Sequence, residues 1–320
     1  MQENVYFSVI VPVYNEQEVV TEFYKRIKRV MDSTKESYEL LFVNDGSRDK
    51  TLEKLIDLCK SDKSIKIIDF SRNFGHQIAI SAGMDFARGN AIVVIDADLQ
   101  DPPNIILKMI VKWKQGYDVV YGKRTQRKKE SLFKRFFAAA FYRFLRRITG
   151  EKIPVDVGDF RLIDRKVCDS MKNLHEKHRF VRGLISWLGF NQTEVTYIRE
   201  KRFAGKTKYP LRKVIGFALD AITSFSHKPL KIATFLGFFI LMSGFVYLFY
   251  ILYQRLFTNN TVEGWTSIIS LTLVFNGITL FILGIIGEYI GRIYDEAKGR
   301  PLYIIKDWIG FTENKESERQ

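Results

Sequence analysis

The chain has 320 residues, room for one large domain and additional parts. Fifty Lys and Arg against 36 Asp and Glu leave a net charge of +14, which suits anionic lipid, phosphorylated substrates or nucleic acid. The basic residues do not collect in one tail but recur around apolar stretches, which favours a membrane surface and argues against a nucleic-acid arm.

The start, "MQENVYFSVIVPVYNE", has no basic residues leading into an apolar run and a small-residue cleavage site. The first domain is therefore expected in the cytoplasm. Short, nearly continuous apolar runs at 7–14, 38–45, 66–71, 91–98 and 118–124 read as strands covered on both faces. Helical patterns near 16–32, 49–60, 76–88 and 104–115 separate them. That alternation predicts βαβ units and a mostly parallel sheet, with ligands beyond the carboxyl ends of the strands. Polar residues fall at those ends: Tyr14 to Glu16, Asn44-Asp45, and Asp96 to Gln100. Cys59 and Cys168 are far apart, in no metal-like spacing, and are expected to be reduced.

From Leu132 to Thr149 the pattern changes. Phe133, Phe136, Phe137, Ala140, Phe141, Phe144 and Ile148 follow helical spacing, with Lys134, Arg135, Arg143 and Arg146 mostly elsewhere. Such a helix suits the bilayer interface; an ordinary core-facing helix shares the pattern. Leu211, Val214, Ile215, Leu219, Ile222 and Phe225 form a second stripe. Residues 232–253 and 264–287 carry no charge and are long enough to span a bilayer, for which about 20 residues suffice. Lys228 and Lys231 precede the first span, and Arg292, Lys298 and Arg300 follow the second. Both ends are thus expected on the cytoplasmic side.

The run "AIVVIDADLQDPP" (91–103) ends a buried strand in carboxylates. If the segment stays extended, Asp96, Asp98 and Gln100 point the same way. Hard oxygen donors favour Mg²⁺ or Mn²⁺, and two acids leave a shell that phosphate oxygens would complete. Asp101-Pro102-Pro103 also reads as a helix cap followed by early helical prolines.

With "VIVPVYNEQEVV" (9–20) and "FVNDGSRDKT" (42–51) before it, this run resembles the family-2 glycosyltransferases of GT-A fold. The closer similarity is to the polyprenyl-phosphate branch, which includes dolichol-phosphate mannose synthases and bactoprenol glucosyltransferases. It extends through "VGDFRLIDRKV" (157–167), "RFAGKTKYPL" (202–211) and "GEYIGRIYDEAKGRPLY" (287–303).

The resemblance implies a Rossmann-like α/β domain followed by amphipathic interface helices and two transmembrane helices. Its divisions are a nucleotide-sugar core at 1–130, an acceptor-side part at 131–228, the spans at 229–295 and a cytoplasmic tail at 296–320. It implies that Pro12, Tyr14, Glu16 and Asp45 hold base and ribose, with Ala97 and Asp96 also at the nucleotide. Asp96, Asp98 and Gln100 would hold metal and diphosphate. Asp159 and Arg161 would lie near sugar and acceptor phosphate, and Arg124, Arg202 and Lys208 would contact phosphates. The implied partners are a nucleotide sugar, a polyprenyl phosphate and the inner (plasma) membrane, with a homo-oligomer, a tetramer among the options, compatible.

Other motifs fail. "EKRFAGKT" has Glu200 where a phosphate loop needs its first glycine, and none of His76, His175, His178 and His227 has zinc-like spacing. The Q-x-x-R-W element of processive synthases is absent, which argues for a single transfer. The implied reaction is attack by a lipid phosphate on the anomeric carbon of a UDP-sugar, with inversion. A phosphate monoester is largely dianionic near neutral pH and needs little deprotonation. Two groups of about −2 charge at about 5 Å repel by on the order of 13 kcal/mol at an effective dielectric near 20, so charge neutralisation should govern the rate. Glucose is the favoured sugar. GDP-mannose, UDP-N-acetylglucosamine and aminoarabinose donors remain alternatives, as does a non-catalytic nucleotide-binding membrane component.

Overall fold

The computed structural model describes residues 5–125, 157–177, 179–200, 228–257 and 264–311. The two amphipathic stripes around 132–149 and 211–225, with Arg202 and Lys208, lie outside the described residues. Contacts divide the chain into two units, Met1–Val214 with Pro301–Gln320, and Ile215–Arg300.

The first unit alternates as the sequence pattern predicts: β1 (Phe7–Val13), α1 (Val20–Asp32), β2 (Tyr38–Asn44), α2 (Thr51–Ser61), β3 (Ile65–Phe70), α3 (His76–Phe86), β4 (Ala91–Val94), α4 (Ile105–Lys114) and β5 (Val119–Arg124). After it come β6 (Val157–Asp164), α5 (Arg165–Lys172), α6 (Val181–Trp187) and β7 (Gln192–Tyr197), and, beyond the second unit, β8 (Ile305–Ile309). One sheet takes all eight strands in the order β7-β5-β6-β4-β1-β2-β3-β8. β1–β2, β1–β4, β2–β3 and β5–β7 pair in parallel. β6 runs antiparallel to both β4 and β5, and β8 antiparallel to β3. The stretch 296–320, expected as a tail, thus contains an edge strand of this sheet.

Every residue of β1 is buried, as a sequence apolar but for Ser8 requires. α1 buries Val20, Phe23, Ile27 and Met31, one helical stripe laid on the sheet. α3 lies close to β1: a Cβ at Gly83 would fall 2.2 Å from Ile10 Cγ2. The chain splits to either side of β1, with β2 on one flank and β4 on the other. Such a switch point opens a crevice at the carboxyl ends of the strands, and the polar residues at the ends of β1, β2, β3 and β4 meet there.

The second unit contains α7 (Lys228–Phe257) and α8 (Trp265–Ala297). They pack on each other near Gly237, where a Cβ would lie 3.8 Å from Ile282 Cδ1. Among the described residues, one helical segment, Val274–Ala297, is long and apolar enough to cross a membrane; α7 carries a shorter apolar stretch, Ala233–Tyr247.

Candidate functional site

The crevice is fixed from the β2 end. Asp45 is 3% exposed and uses its carboxylate on the loop before α3. Oδ1 accepts from the amide of Phe74 at 2.6 Å, and Oδ2 accepts from Gly75 N–H at 3.0 Å and Asn73 Nδ2 at 2.8 Å. Burial raises its pKa, against the pull of the two amides. The loop closes on Gly46, whose φ is +65° and where a Cβ would lie 2.5 Å from the Arg72 carbonyl carbon. Asp45, expected at base and ribose, is thus bound to the loop that delivers His76 and Gln77 to the crevice.

His76 opens α3. Its Nε2 stands 3.4 Å from Asp96 Oδ1, beyond the end of β4, and 3.3 Å from Asp159 Oδ2 on β6. Burial opposes the charged imidazole, but the two carboxylates outweigh it and raise its pKa to about 9. Asp96 shifts upward: burial, with Asp159, Asp101 and Asp98 nearby, raises it to about 6 against His76.

Asp159 is 8% exposed and gripped on both oxygens. Oδ1 accepts from Arg182 Nε at 3.0 Å, and Oδ2 accepts from Gln77 Nε2 at 3.1 Å. Burial alone would raise its pKa; the Arg182 charge, the His76 contact and Arg161 outweigh it and hold the group well below the usual carboxylate range. Arg161, two residues on and 4% exposed, donates to the carbonyls of Gly158 (2.9 Å) and Asp159 (3.3 Å). Burial depresses its pKa to about 10 despite Asp159.

The segment after β4 is not extended. β4 stops at Val94, a turn follows, and Leu99 takes φ +58° while buried. Asp98 Oδ1 accepts from the amide of Gln100 at 3.1 Å. Gln100 Oε1 accepts from Arg199 Nη2, and its carbonyl from Glu200 N–H at 3.0 Å. The expectation that Asp96, Asp98 and Gln100 line one extended face is corrected by that left-handed turn, which breaks the two-residue alternation. Asp101 does not cap α4 with its side chain; its carboxylate accepts from Tyr197 OH and from Arg124 Nη2 at 3.3 Å.

Pro12 is buried in β1 opposite Val43, and Tyr14 and Glu16 are part-exposed beyond the strand end. Asn15, at φ +52°, ties this loop to the next: its N–H donates to Ser47 Oγ and its Oδ1 accepts from Arg48 N–H. Ala97 is buried. A cleft of about 280 Å³ lies beside the Asp45-bound loop, with Arg48, Arg72, Asn73 and Lys306 in its lining.

A divalent cation fits this donor set in one respect. Among the described residues Asp96 Oδ1 is buried with no hydrogen-bond partner, its His76 contact lacking hydrogen-bond geometry. Among the described residues no group of three His, Cys, Asp or Glu side chains forms a closed cage, so oxygens from a bound phosphate would have to complete the coordination.

Sequence reasoning singled out Asp96 and Asp159 but missed His76, Gln77 and Arg182. For His76 a signal existed: the predicted helix at 76 begins directly after a strand, where such sheets place ligands. For Arg182 there was none.

Residues 8–171 match the family described as Glycosyl transferase family 2, and residues 228–293 match the GtrB C-terminal hairpin. A Bacillus subtilis (strain 168) protein named uncharacterized glycosyltransferase YkcC is 61% identical over 315 residues, covering 98% of this chain and 97% of its own. A Synechocystis protein named uncharacterized glycosyltransferase sll0501 is 46% identical, covering 95% of each chain. The bactoprenol glucosyl transferase of Shigella phage SfV is 40% identical over 300 residues, covering 94% of this chain and 98% of its own. With a family match over half its length and identity of this order along nearly all of it, the chain belongs to glycosyl transferase family 2.

Proposed function

We propose that this glycosyltransferase moves one sugar, glucose favoured, from a UDP-sugar to undecaprenyl or another polyprenyl phosphate, with inversion, at the cytoplasmic face of the inner (plasma) membrane. The acceptor is inferred from the 40% identity to a protein named bactoprenol glucosyl transferase and from the matching hairpin. The observation that carries the chemistry is that Asp96, just beyond β4, and Asp159, on β6, lie within 3.4 Å of one His76 nitrogen. The diphosphate end and the reacting carbon of one donor can therefore be served together.

Base and ribose fit among Pro12, Tyr14, Glu16 and the loop that Asp45 holds, with the adjoining cleft giving room. Asp96 and Asp98, with Gln100 beside them, would hold Mg²⁺ or Mn²⁺, which supplies positive charge to the departing diphosphate. Asp159 is kept ionised by Arg182 and His76, which makes it a poor proton acceptor and a fixed anion. That suits a carboxylate aligned with the positive charge developing at the anomeric carbon. The acceptor phosphate, already largely dianionic, needs little base assistance. Cations must offset its approach to the donor, and Arg202 and Lys208, in the segment that resembles the family's acceptor motif, are the proposed contacts. Both α7 and α8 are read as membrane spans, with the catalytic unit and both termini cytoplasmic.

The test is a donor panel, UDP-glucose, UDP-N-acetylglucosamine, GDP-mannose and an aminoarabinose donor, offered to the purified protein with undecaprenyl phosphate and Mg²⁺ or Mn²⁺. Mass spectrometry of the lipid should show one hexose added from UDP-glucose, and excess EDTA should stop it. Nucleotide binding without any glycosylated lipid from the panel overturns the reading.

A further inference from the structure

The grip on Asp159 comes from two helix starts that are distant in sequence. Gln77, second residue of α3, donates from Nε2 to Asp159 Oδ2 at 3.1 Å. Its Oε1 accepts the N–H of Val181, the first residue of α6, at 3.0 Å. The next residue, Arg182, donates to Asp159 Oδ1 at 3.0 Å and to the Val157 carbonyl at 2.8 Å. The amide of Gln77 can sit only one way round. A backbone N–H only donates, so the atom facing Val181 must be the oxygen, and the NH₂ group is left for the carboxylate.

A carboxylate held on one oxygen can still turn about its Cβ–Cγ bond; a second donor on the other oxygen fixes its plane. His76 also reaches Oδ2, but it divides Nε2 between Asp159 and Asp96. Among the described residues the Gln77 amide faces only Asp159 and α6 in its hydrogen bonds. We propose that Gln77 is a positioning residue for the transfer reaction, setting the plane of the Asp159 carboxylate against α6. This rests on the role given to Asp159 above.

Gln77→Glu separates this role from simple support of the fold. It keeps the shape and the acceptor for Val181 N–H, but it replaces the donor facing Asp159 with a second carboxylate. Gln77→Met keeps the length and removes both bonds. With the full-length protein and the lipid assay, kcat of both variants should fall about 10- to 100-fold, the scale expected for a small misplacement of a reacting group. Donor KM and UDP affinity by calorimetry should stay near the wild-type values. A residue that only pins α6 would give Gln77→Glu wild-type kcat and leave Gln77→Met alone impaired; that result overturns the proposal. Equal losses in UDP affinity and kcat overturn it too. Asp159→Asn is measured alongside. Full turnover in that variant removes the role of Asp159 and this proposal with it, whereas loss there beside wild-type turnover in Gln77→Glu overturns the positioning role alone.

Discussion

Arg124 illustrates how a side chain's partner decides its role. It was expected at a phosphate, yet its Nη2 donates to Asp101 at 3.3 Å and its Nε to Tyr197 Oη at 3.2 Å, while Tyr197 in turn donates to Asp101. The triangle joins β5, β7 and the turn after β4, and its guanidinium lies against Gly158, where a Cβ would be 2.8 Å from Arg124 Nη2. Asp101 is 1% exposed, so removing its cation leaves a buried charge with, among the described residues, one hydroxyl donor. Arg124→Ala should therefore cost about 2 kcal/mol, less than a fully buried pair because the guanidinium is partly exposed, and should lower the melting temperature of the detergent-solubilised protein. An unchanged melt with a raised KM for lipid phosphate would return Arg124 to its expected place at the phosphate. The same logic explains what was legible at the site. Asp96 was visible because a carboxylate at the end of an apolar run demands compensation, whereas Asp159 came from the resemblance of "VGDFRLIDRKV" to the family. Their partners were not, because the Gln77–Asp159 bond spans 82 residues of sequence and no local period encodes it.

Elements tell a similar story at larger spacing. Tyr303, just before β8, stacks on Phe70 with ring centroids 5.2 Å apart and donates to Asp85 on α3 at 2.8 Å. Trp308 in β8 meets Phe86 edge-on at 4.4 Å. This returning segment therefore holds the far end of the helix that begins with His76. Tyr303→Phe keeps the stack and removes the donor to Asp85, and should cost about 1 kcal/mol. Tyr303→Ala should cost about 3 kcal/mol by leaving a cavity as well. Equal melting temperatures for Tyr303→Phe and Tyr303→Ala would show that the ring contributes nothing. The first five strands and four helices were readable from periodicity, the main error being a fourth strand carried through to Asp98 when it stops at Val94. β6 was quoted only as a motif because "VGDFRLID" mixes three charged residues into an apolar run; all but the last residue are nonetheless buried, Asp159 and Arg161 among them. β7 is short and polar. β8 follows a long apolar helix, and nothing local in "IKDWI" says that it pairs with β3.

For the whole molecule, chain connectivity constrains topology. β7 and β8 belong to one sheet, so the chain between them must cross any membrane an even number of times. α8 has 33 residues, about 50 Å at 1.5 Å per residue, and contains the segment Val274–Ala297 suited to crossing. If it crosses, a second crossing has to precede it. α7, with 30 residues and no charge from 232 to 253, is long enough for the roughly 30 Å of hydrocarbon. The cations agree: Lys228 and Lys231 lie at the start of α7 and Arg292, Lys298 and Arg300 at or just after the end of α8, while Arg255 and Glu263 cancel near the connection. Cysteine labelling in intact cells tests this with little background. Cys168 is buried, with its thiol pushed up to about 11 by that burial, and should be silent to a maleimide at neutral pH. Only Cys59 needs replacing. In that background Asn259→Cys, between the helices, should react with a membrane-impermeant maleimide from outside. Asp57→Cys on α2 and Lys306→Cys on β8 should react only after permeabilisation. If Asn259→Cys also needs permeabilisation, the hairpin lies on one face of the membrane and neither helix crosses. Labelling of Lys306→Cys from outside would be incompatible with β8 sharing a sheet with a cytoplasmic β3.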